Sequence, residues 1–462
     1  MLGNKELRRV VQRVGPRIAA ARAFSSVPAQ PPTLVSTLPN QLRVASESMG
    51  GETATVGVWI DSGSRYESDA TNGVANFVER LALKGAATET IENLGGQLTA
   101  YTSRETTAYY AKVLKKDVPK AVEVLSGMVT KPAFSAEAVS AEADAILAEM
   151  DAEGMTEEVI FDMLHEAAFI GTPLSRTVTG PMESIKAISA EDMKTYVATH
   201  YTAPRMVLAA AGAVEHDMIT DLAAKHLGSV PAEPPAGLTY DDAASLFSGA
   251  DLRDFNDDMS TAHFALSFEG LKWTDPDVFS LMLCTSLLGT YDATAAGQAL
   301  TMSKLASDVA KLGAGVKTMT PFCTSYTDTG LFGVYVEMAM AKKEHVDDTL
   351  GTIQEELVAL TTGVDDASLA AAKAQLKYKM LTAVDGTTAT AEEIGKQMLV
   401  YGRRMPLAET FARIDMIEAD DVTRVADKVI WDQEVSFAAM GPNLKYAFDI
   451  NGLRRGTYWN RM

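Results

Sequence analysis

Asn76-Phe-Val-Glu79-Arg80 is the stretch whose residue types come nearest to chemistry. It has the outline H-x-x-E-H, with both histidines replaced. Residues i and i+4 of a helix share one face, so imidazoles at those two places can grip one metal ion. A glutamate one residue before the second ligand would polarise the metal-bound water as general base. Here the ligand places hold an amide and a guanidinium. Arginine stays protonated at any relevant pH and has no lone pair to give, while asparagine offers only a weak carbonyl. A catalytic zinc needs three protein ligands and one open position, which this pentapeptide does not supply.

No other constellation competes with it. The sequence contains no G-x-x-x-x-G-K-[ST] loop, G-x-S-x-G elbow or G-x-G-x-x-G fingerprint. Its six histidines (His165, His200, His216, His226, His263 and His345) are scattered, no two of them at metal-ligand spacing. Cys284 and Cys323 form no disulfide framework and no C-x-x-C pair; both are expected as buried thiols. The formal charge is −20 over 462 residues. Residues 1–24 hold six basic side chains and one acid, so the remainder stands at −25. That balance argues against nucleic acid, whose affinity rests on Lys and Arg contacts to phosphate, and suits basic peptides or basic protein partners. The longest apolar run, Met206 to Val214, falls far short of the ~20 residues a membrane helix needs.

The elements that must position the motif can be read around it. Residues 1–24 are Arg-rich, with Leu7, Val10, Val11, Val14 and Ile18 on one helical stripe and Arg9, Arg13 and Arg17 on another. This is the composition of a mitochondrial presequence, with cleavage expected between Phe24 and Ser25. Thr53 to Ile60 reads as a strand ended by Asp61-Ser-Gly-Ser. The motif helix follows, with Thr71 or Asn72 as its N-cap. Two strand-like segments come next, then a helix capped by Asp117 that runs to Val129, and an Ala- and Glu-rich helix over 135–152. Ile188 to His200 is a further helix, started by Ser189 with Asp192 three residues on, an acidic variant of the capping box.

After the proline-rich stretch Gly228 to Asp242 the pattern begins again. Thr261 to Leu271 repeats the logic of Thr53 to Gly63. The strand at 331–338 with the helix at 346–360 echoes 107–113 with 118–129, the helix at 366–383 echoes 135–152, and the strand at 435–440 echoes 206–213. One α+β unit is used twice. The expected division is a leader at 1–24, a first half at 35–228, a linker at 229–242 and a second half at 243–462.

With two halves in view, the chain resembles the pitrilysin and mitochondrial processing peptidase superfamily. The resemblance rests on Asn72-Gly-Val-Ala-Asn-Phe-Val-Glu-Arg-Leu-Ala-Leu-Lys-Gly and Leu98-Thr-Ala-Tyr-Thr-Ser-Arg-Glu-Thr-Thr-Ala-Tyr-Tyr, with support from 203–212, 385–388, 401–409 and the tail 453–462. Within it, the likeness is greatest to core protein 1 subunits of respiratory complex III, the ubiquinol–cytochrome c reductase. The resemblance implies an α+β fold of two homologous inverzincin-type halves, each a mixed or antiparallel sheet packed with helices. It places the first zinc-ligand position on Asn76, the base on Glu79, the second ligand on Arg80 and the third on Glu149, with Glu142 as the fallback. On that reading the four residues are vestigial, and Arg80 supplies positive charge in place of a metal by pairing with Glu149 and with Glu79.

The function so implied is a non-catalytic core subunit on the matrix side of the mitochondrial inner membrane, required for assembly and stability of the complex. Its expected partners are a related second core subunit, cytochrome b, cytochrome c1 and the Rieske subunit. Haem and iron–sulfur cluster would belong to those partners, with no cofactor in this chain. Two further readings stand beside it: a β-type processing-peptidase subunit that cleaves presequences, and one that holds Arg-rich presequence peptides in an acidic bowl without cutting them.

Overall fold

The computed structural model describes residues 30–152, 157–240, 242–295, 303–313, 315–339, 342–444 and 447–459. The expected presequence at 1–24 and the Phe24–Ser25 bond lie outside the described residues. The first half contributes strands β1 (Leu34–Thr37), β2 (Arg43–Ser48), β3 (Thr53–Asp61), β4 (Gln97–Thr102), β5 (Thr106–Leu114) and β6 (Met206–Gly212). Its helices are α1 (Val74–Leu83), α2 (Ala86–Asn93), α3 (Val118–Thr130), α4 (Ala136–Ala152), α5 (Glu157–Ala168), α6 (Met182–Ala187), α7 (Ala190–His200) and α8 (His216–Leu227). The second half contributes β7 (Asp251–Phe255), β8 (Thr261–Glu269), β9 (Tyr291–Asp292), β10 (Val316–Ser325), β11 (Gly330–Ala339) and β12 (Ser436–Gly441). Its helices are α9 (Val278–Leu288), α10 (Lys304–Leu312), α11 (Lys343–Thr362), α12 (Asp366–Ala383), α13 (Thr387–Val400), α14 (Leu407–Met416), α15 (Ala419–Ile430) and α16 (Ile450–Trp459).

The two sheets run β1-β2-β6-β3-β5-β4 and β7-β12-β8-β11-β10-β9. Five consecutive strands match between them: β2-β6-β3-β5-β4 corresponds to β7-β12-β8-β11-β10, and in each sheet the first of those pairs is parallel while the others are antiparallel. The fold is α+β, with mixed sheets packed by helices in both halves.

Strand periodicity decides what each face meets. On β3, Ala54, Val56, Val58 and Ile60 point into the first half's own core with α1 and α3. Trp59 points the other way, with Val207, Ala209 and Ala211 of β6, against Ala391, Ile394 and Met398 of α13. In the second half Phe264, Leu266 and Phe268 of β8 enter the local core. Ala265, with Ala438 and Met440 of β12, meets Ile160, Leu164 and Ala168 of α5. Each half thus lends one helix to cover the outer face of the other's sheet. This explains why the central strands read as nearly continuous apolar runs: both faces are buried.

Small residues let α13 lie close to its sheet. A Cβ added at Gly395 would come within 2.2 Å of the Trp59 indole. The helix end is held by Arg43, which donates to the Met398 carbonyl at 2.5 Å and to Pro204 O at 3.0 Å. The hydroxyls of Thr55 and Thr387 meet at 3.0 Å. On the far side, buried Arg65 joins Glu105 at 2.7 Å and forks onto Asp328 at 2.8 and 2.6 Å. Asp328 also accepts from the Ser245 backbone just after the linker.

Some local expectations change. Ser189 does cap α7, and its hydroxyl and the Asp192 carboxylate satisfy each other's backbone N–H. Asp117 stands at the N-terminus of α3 but makes no side-chain cap bond. Of the two cysteines, Cys284 is buried and Cys323 half-buried, both as free thiols pushed up to about 12 by desolvation. No helix of the described residues is long and apolar enough to cross a membrane.

The contact at Gly395 gives a test of the exchanged packing. Gly395→Ala is predicted to destabilise the folded chain by about 1–3 kcal/mol through overpacking. Denaturant unfolding followed by circular dichroism and tryptophan fluorescence measures this, and an unchanged midpoint would show that α13 does not sit on the Trp59 indole.

Candidate functional site

The motif helix α1 begins at Gly73, whose φ of 100° lies in the left-handed region and whose missing Cβ would strike the Thr179 carbonyl at 2.3 Å. Neither Thr71 nor Asn72 caps it. The cap is Glu67, a buried carboxylate that accepts from the backbone N–H groups of Gly73 and Ala75, each at 2.7 Å. Asn72 instead donates its amide to Glu67 and to the Thr177 carbonyl, both at 2.8 Å. Negative charge at a helix N-terminus is favourable, and three donors satisfy it. Burial still outweighs them and raises the Glu67 carboxyl to about 7. Sequence reading missed Glu67 because it reaches the helix from a preceding loop, at none of the local spacings that mark a capping box.

Along α1 the three motif residues diverge. Asn76 is half-buried. Glu79 is buried, and desolvation raises its carboxyl above the ordinary value against the opposing influence of Thr102 and of the Arg80 charge. The phenols of Tyr109 and Tyr201, 3.0 Å apart, are raised chiefly by burial, and the Glu79 charge adds to the shift of both. Arg80, one residue on, leaves this pocket for the facing helix α4. Its Nε donates to Glu142 Oε1 at 2.6 Å, and its two Nη atoms fork onto Glu149 at 2.8 and 2.7 Å. Lys84, one turn later, donates to the second oxygen of Glu142.

The arrangement follows from spacing. Arg80 stands in the last turn of α1 and Lys84 just past its end as the C-cap, while Glu142 and Glu149 lie two turns apart on α4, so two cations meet two carboxylates across one helix pair. Glu142 has no exposed side-chain surface, whereas Glu149 is about half exposed. Burial alone would raise Glu142, yet the hydrogen bonds and charges of Lys84 and Arg80 hold it below the usual carboxylate range. Arg80 itself is raised, chiefly by its bonds to Glu149. Pairing of Arg80 with Glu149 is therefore as expected, but its second partner is Glu142 and not Glu79. Lys84 carries no helical-spacing signal, because it lies past the end of α1 in extended backbone.

These residues do not fit a zinc ion. Both oxygens of Glu149 are taken by a permanent cation, the second ligand place is that cation, and the first is a carboxamide. Among the described residues no three His, Cys, Asp or Glu side chains converge as a metal site. The second half offers an internal comparison. Its corresponding helix α9 buries Leu281, Leu283 and Cys284, and the facing α12 buries Ala372 and Leu376. The fold itself therefore does not require charge at this helix pair. Elsewhere, Arg403 forks onto Glu409 at 2.9 and 2.7 Å, and Arg413 joins it; the first of these arginines brings the Glu409 carboxyl down to about 2.

A paired α+β chain with an H-x-x-E-H-like helix facing an acidic one is the architecture of a metallopeptidase scaffold. The family profile described as insulinase (peptidase family M16) matches residues 43–182, and that described as peptidase M16 inactive domain matches 187–376. The chain belongs to the M16 peptidase family. It is 46% identical to a probable mitochondrial-processing peptidase subunit beta of Arabidopsis thaliana, over 93% of this chain and 82% of that one. It is 41% identical to mitochondrial-processing peptidase subunit beta of Homo sapiens (93% and 88%) and 42% identical to that of Blastocladiella emersonii (92% and 93%). A solved chain from complex III2 of Candida albicans with Inz-5 bound superposes with a TM-score of 0.82 at 24% identity, covering 92% of this chain and 99% of that one.

These findings correct two expectations. The reading as a non-catalytic core subunit of ubiquinol–cytochrome c reductase is overturned, because relatives at 40–46% identity along nearly the whole chain are named processing-peptidase β subunits. The likeness to a chain of complex III, at 24%, speaks to fold alone. The expectation that the chain is no enzyme is corrected on the same ground, since those relatives carry the name of a peptidase subunit.

Glu67 makes the anchoring of α1 dependent on pH. A carboxyl raised from 4.5 to about 7 on folding keeps its proton in the folded state after the unfolded chain has lost it. Its contribution to stability is full below about 4.5 and is lost as pH rises through about 7. Relative to Glu67→Gln, the natural chain should lose up to about 3 kcal/mol between pH 4.5 and 8. Urea unfolding of both proteins across that range measures it, and a difference that stays flat or grows with pH would contradict the assignment.

Proposed function

We propose that the chain is a β-type subunit of a mitochondrial presequence-processing pair, on the matrix side of the inner membrane, and that its own part is to hold a basic, extended peptide along β4. The observation that carries this reading is the placement of β4 at the edge of the first sheet, beside the motif helix. Its inner side pairs with β5 from Gln97 to Thr102, and an edge strand leaves its other row of backbone groups available to an incoming strand. The strand ends at Thr102, against Glu79. Helix α13 of the second half overlooks it: Lys396 Nζ lies 5.5 Å from the Tyr101 ring, and Tyr101 and Tyr110 are raised by burial first and by the nearby Glu392 charge second.

The names of the relatives support the class of ligand, and the −25 formal charge beyond residue 24 supports its sign. A second, related chain is the partner implied by the word subunit in those names. Association with cytochrome b, cytochrome c1 and the Rieske subunit rests here only on a likeness of fold to a chain of such a complex. The chemistry that a metal would supply is not assigned to Asn76, Glu79, Arg80 and Glu149.

The test is fluorescence anisotropy of an Arg-rich presequence peptide titrated with the full chain copurified with its partner. Binding should weaken roughly tenfold between about 20 and 300 mM salt as the charges are screened. Glu392→Lys should weaken it several-fold at low salt. Mass spectrometry of the same mixtures reads whether the pair also cuts the peptide. No binding at the lowest salt would overturn the reading.

A further inference from the structure

We infer that the Arg80 guanidinium occupies the place of a divalent metal, and that Glu149, and not Glu142, is the carboxylate it has captured from that metal. The geometry separates the two glutamates. Glu142 gives one oxygen to Arg80 Nε and the other to Lys84, so it keeps a cation of its own whatever stands at position 80. Glu149 gives both oxygens to Arg80 and to no other described cation. Removing Arg80 therefore releases Glu149 as a bidentate donor while Glu142 stays neutralised.

Reach is consistent with this. An imidazole carrying a Zn–N bond of about 2 Å extends about as far from the backbone as the guanidinium carbon of an arginine. A metal held by a histidine at position 80 would thus sit where that carbon now lies, within reach of Glu149. Position 76, one turn earlier on the same face of α1, supplies the third direction. The apolar filling of the corresponding α9–α12 pair shows how this fold closes such a place when no charge is required. Retention of two glutamates here, matched by two cations, is a balance of charge. A buried carboxylate left without a partner is strongly destabilising.

The experiment needs neither a peptide nor a partner's activity, so it stands apart from the presequence reading. The natural full-length chain, Asn76→His/Arg80→His, and that double variant with either Glu149→Gln or Glu142→Gln are purified from zinc-supplemented medium. Metal content is read by mass spectrometry, and folding by circular dichroism and thermal melting. The natural chain should carry less than about 0.1 zinc per chain and the double variant about one, as a complete set of three protein ligands, two His and one Glu, requires. Adding Glu149→Gln should abolish retention, and adding Glu142→Gln should leave it. Stoichiometric zinc in the natural chain, or a folded double variant that binds none, would overturn the inference. Loss of zinc with Glu142→Gln but not with Glu149→Gln would overturn the choice of carboxylate. Should the double variant fold poorly, Arg80→Ala with and without Glu149→Gln provides the parallel test on the natural Asn76 background: if Arg80 is the counter-charge of Glu149, removing the carboxylate should recover part of the melting temperature lost with the arginine, and a further loss of similar size on adding Glu149→Gln overturns the inference.

Discussion

Neither sheet can shed its hydration without a helix from the other half. Trp59, Val207, Ala209 and Ala211 are sealed by α13, and Ala265, Ala438 and Met440 by α5. Each half is therefore unfinished by itself, in spite of having its own inner core of strands and helices. The rest of the architecture follows from this exchange. The strands must be apolar on both faces, the residues under α13 must be small, and the segment from Gly228 to Asp242 must reach from one half to the other without adding a third layer. The Arg65–Asp328 fork sits on the same seam, where a buried cation is fully paired by acids from both halves.

Within that frame the charged helix pair α1–α4 is a local solution to a local problem. Glu142 is wholly buried and would be costly as an unpaired anion. Two cations answer it, Arg80 from the last turn of α1 and Lys84 from just past its end, and the more exposed Glu149 completes a bidentate fork. The motif thus joins two helices by hydrogen-bonded charge, where the second half joins the equivalent pair by Leu281, Cys284 and Leu376. Glu79 stands apart from this network. It is turned into the sheet side, among Thr102, Tyr109 and Tyr201, which is why an expectation based on its neighbour in sequence failed.

Much of this was legible in the residues. Alternation at 53–60 and 261–269, repeated helix lengths and a proline-rich break announce two like halves, because period and punctuation are local properties. The pairing of Arg80 with Glu149 could be foreseen once the two helices were taken to face each other. What could not be read is which sheet a helix covers. The apolar stripes of α5 and α13 say only that each is buried on one side, and nothing in their composition names a partner in the other half of the chain. Glu67 was hidden for a related reason: its three bonds are made by a loop returning to a helix start, with no periodic signature. That relatives at 40–46% identity are named processing-peptidase β subunits was also beyond motif reading, because it rests on identity along nearly the whole chain and not on a few short stretches.

The bond between Thr55 and Thr387 spans 332 positions of chain. Contacts of such high sequence separation slow folding, because a long loop must close before they can form. For a chain delivered N-terminus first, the order matters more than the rate. The Trp59 face is complete as a surface long before the helix that shelters it arrives, and that helix is fourth from the end. Throughout that interval the molecule carries an open apolar sheet, the kind of surface on which holding chaperones act and from which aggregation starts.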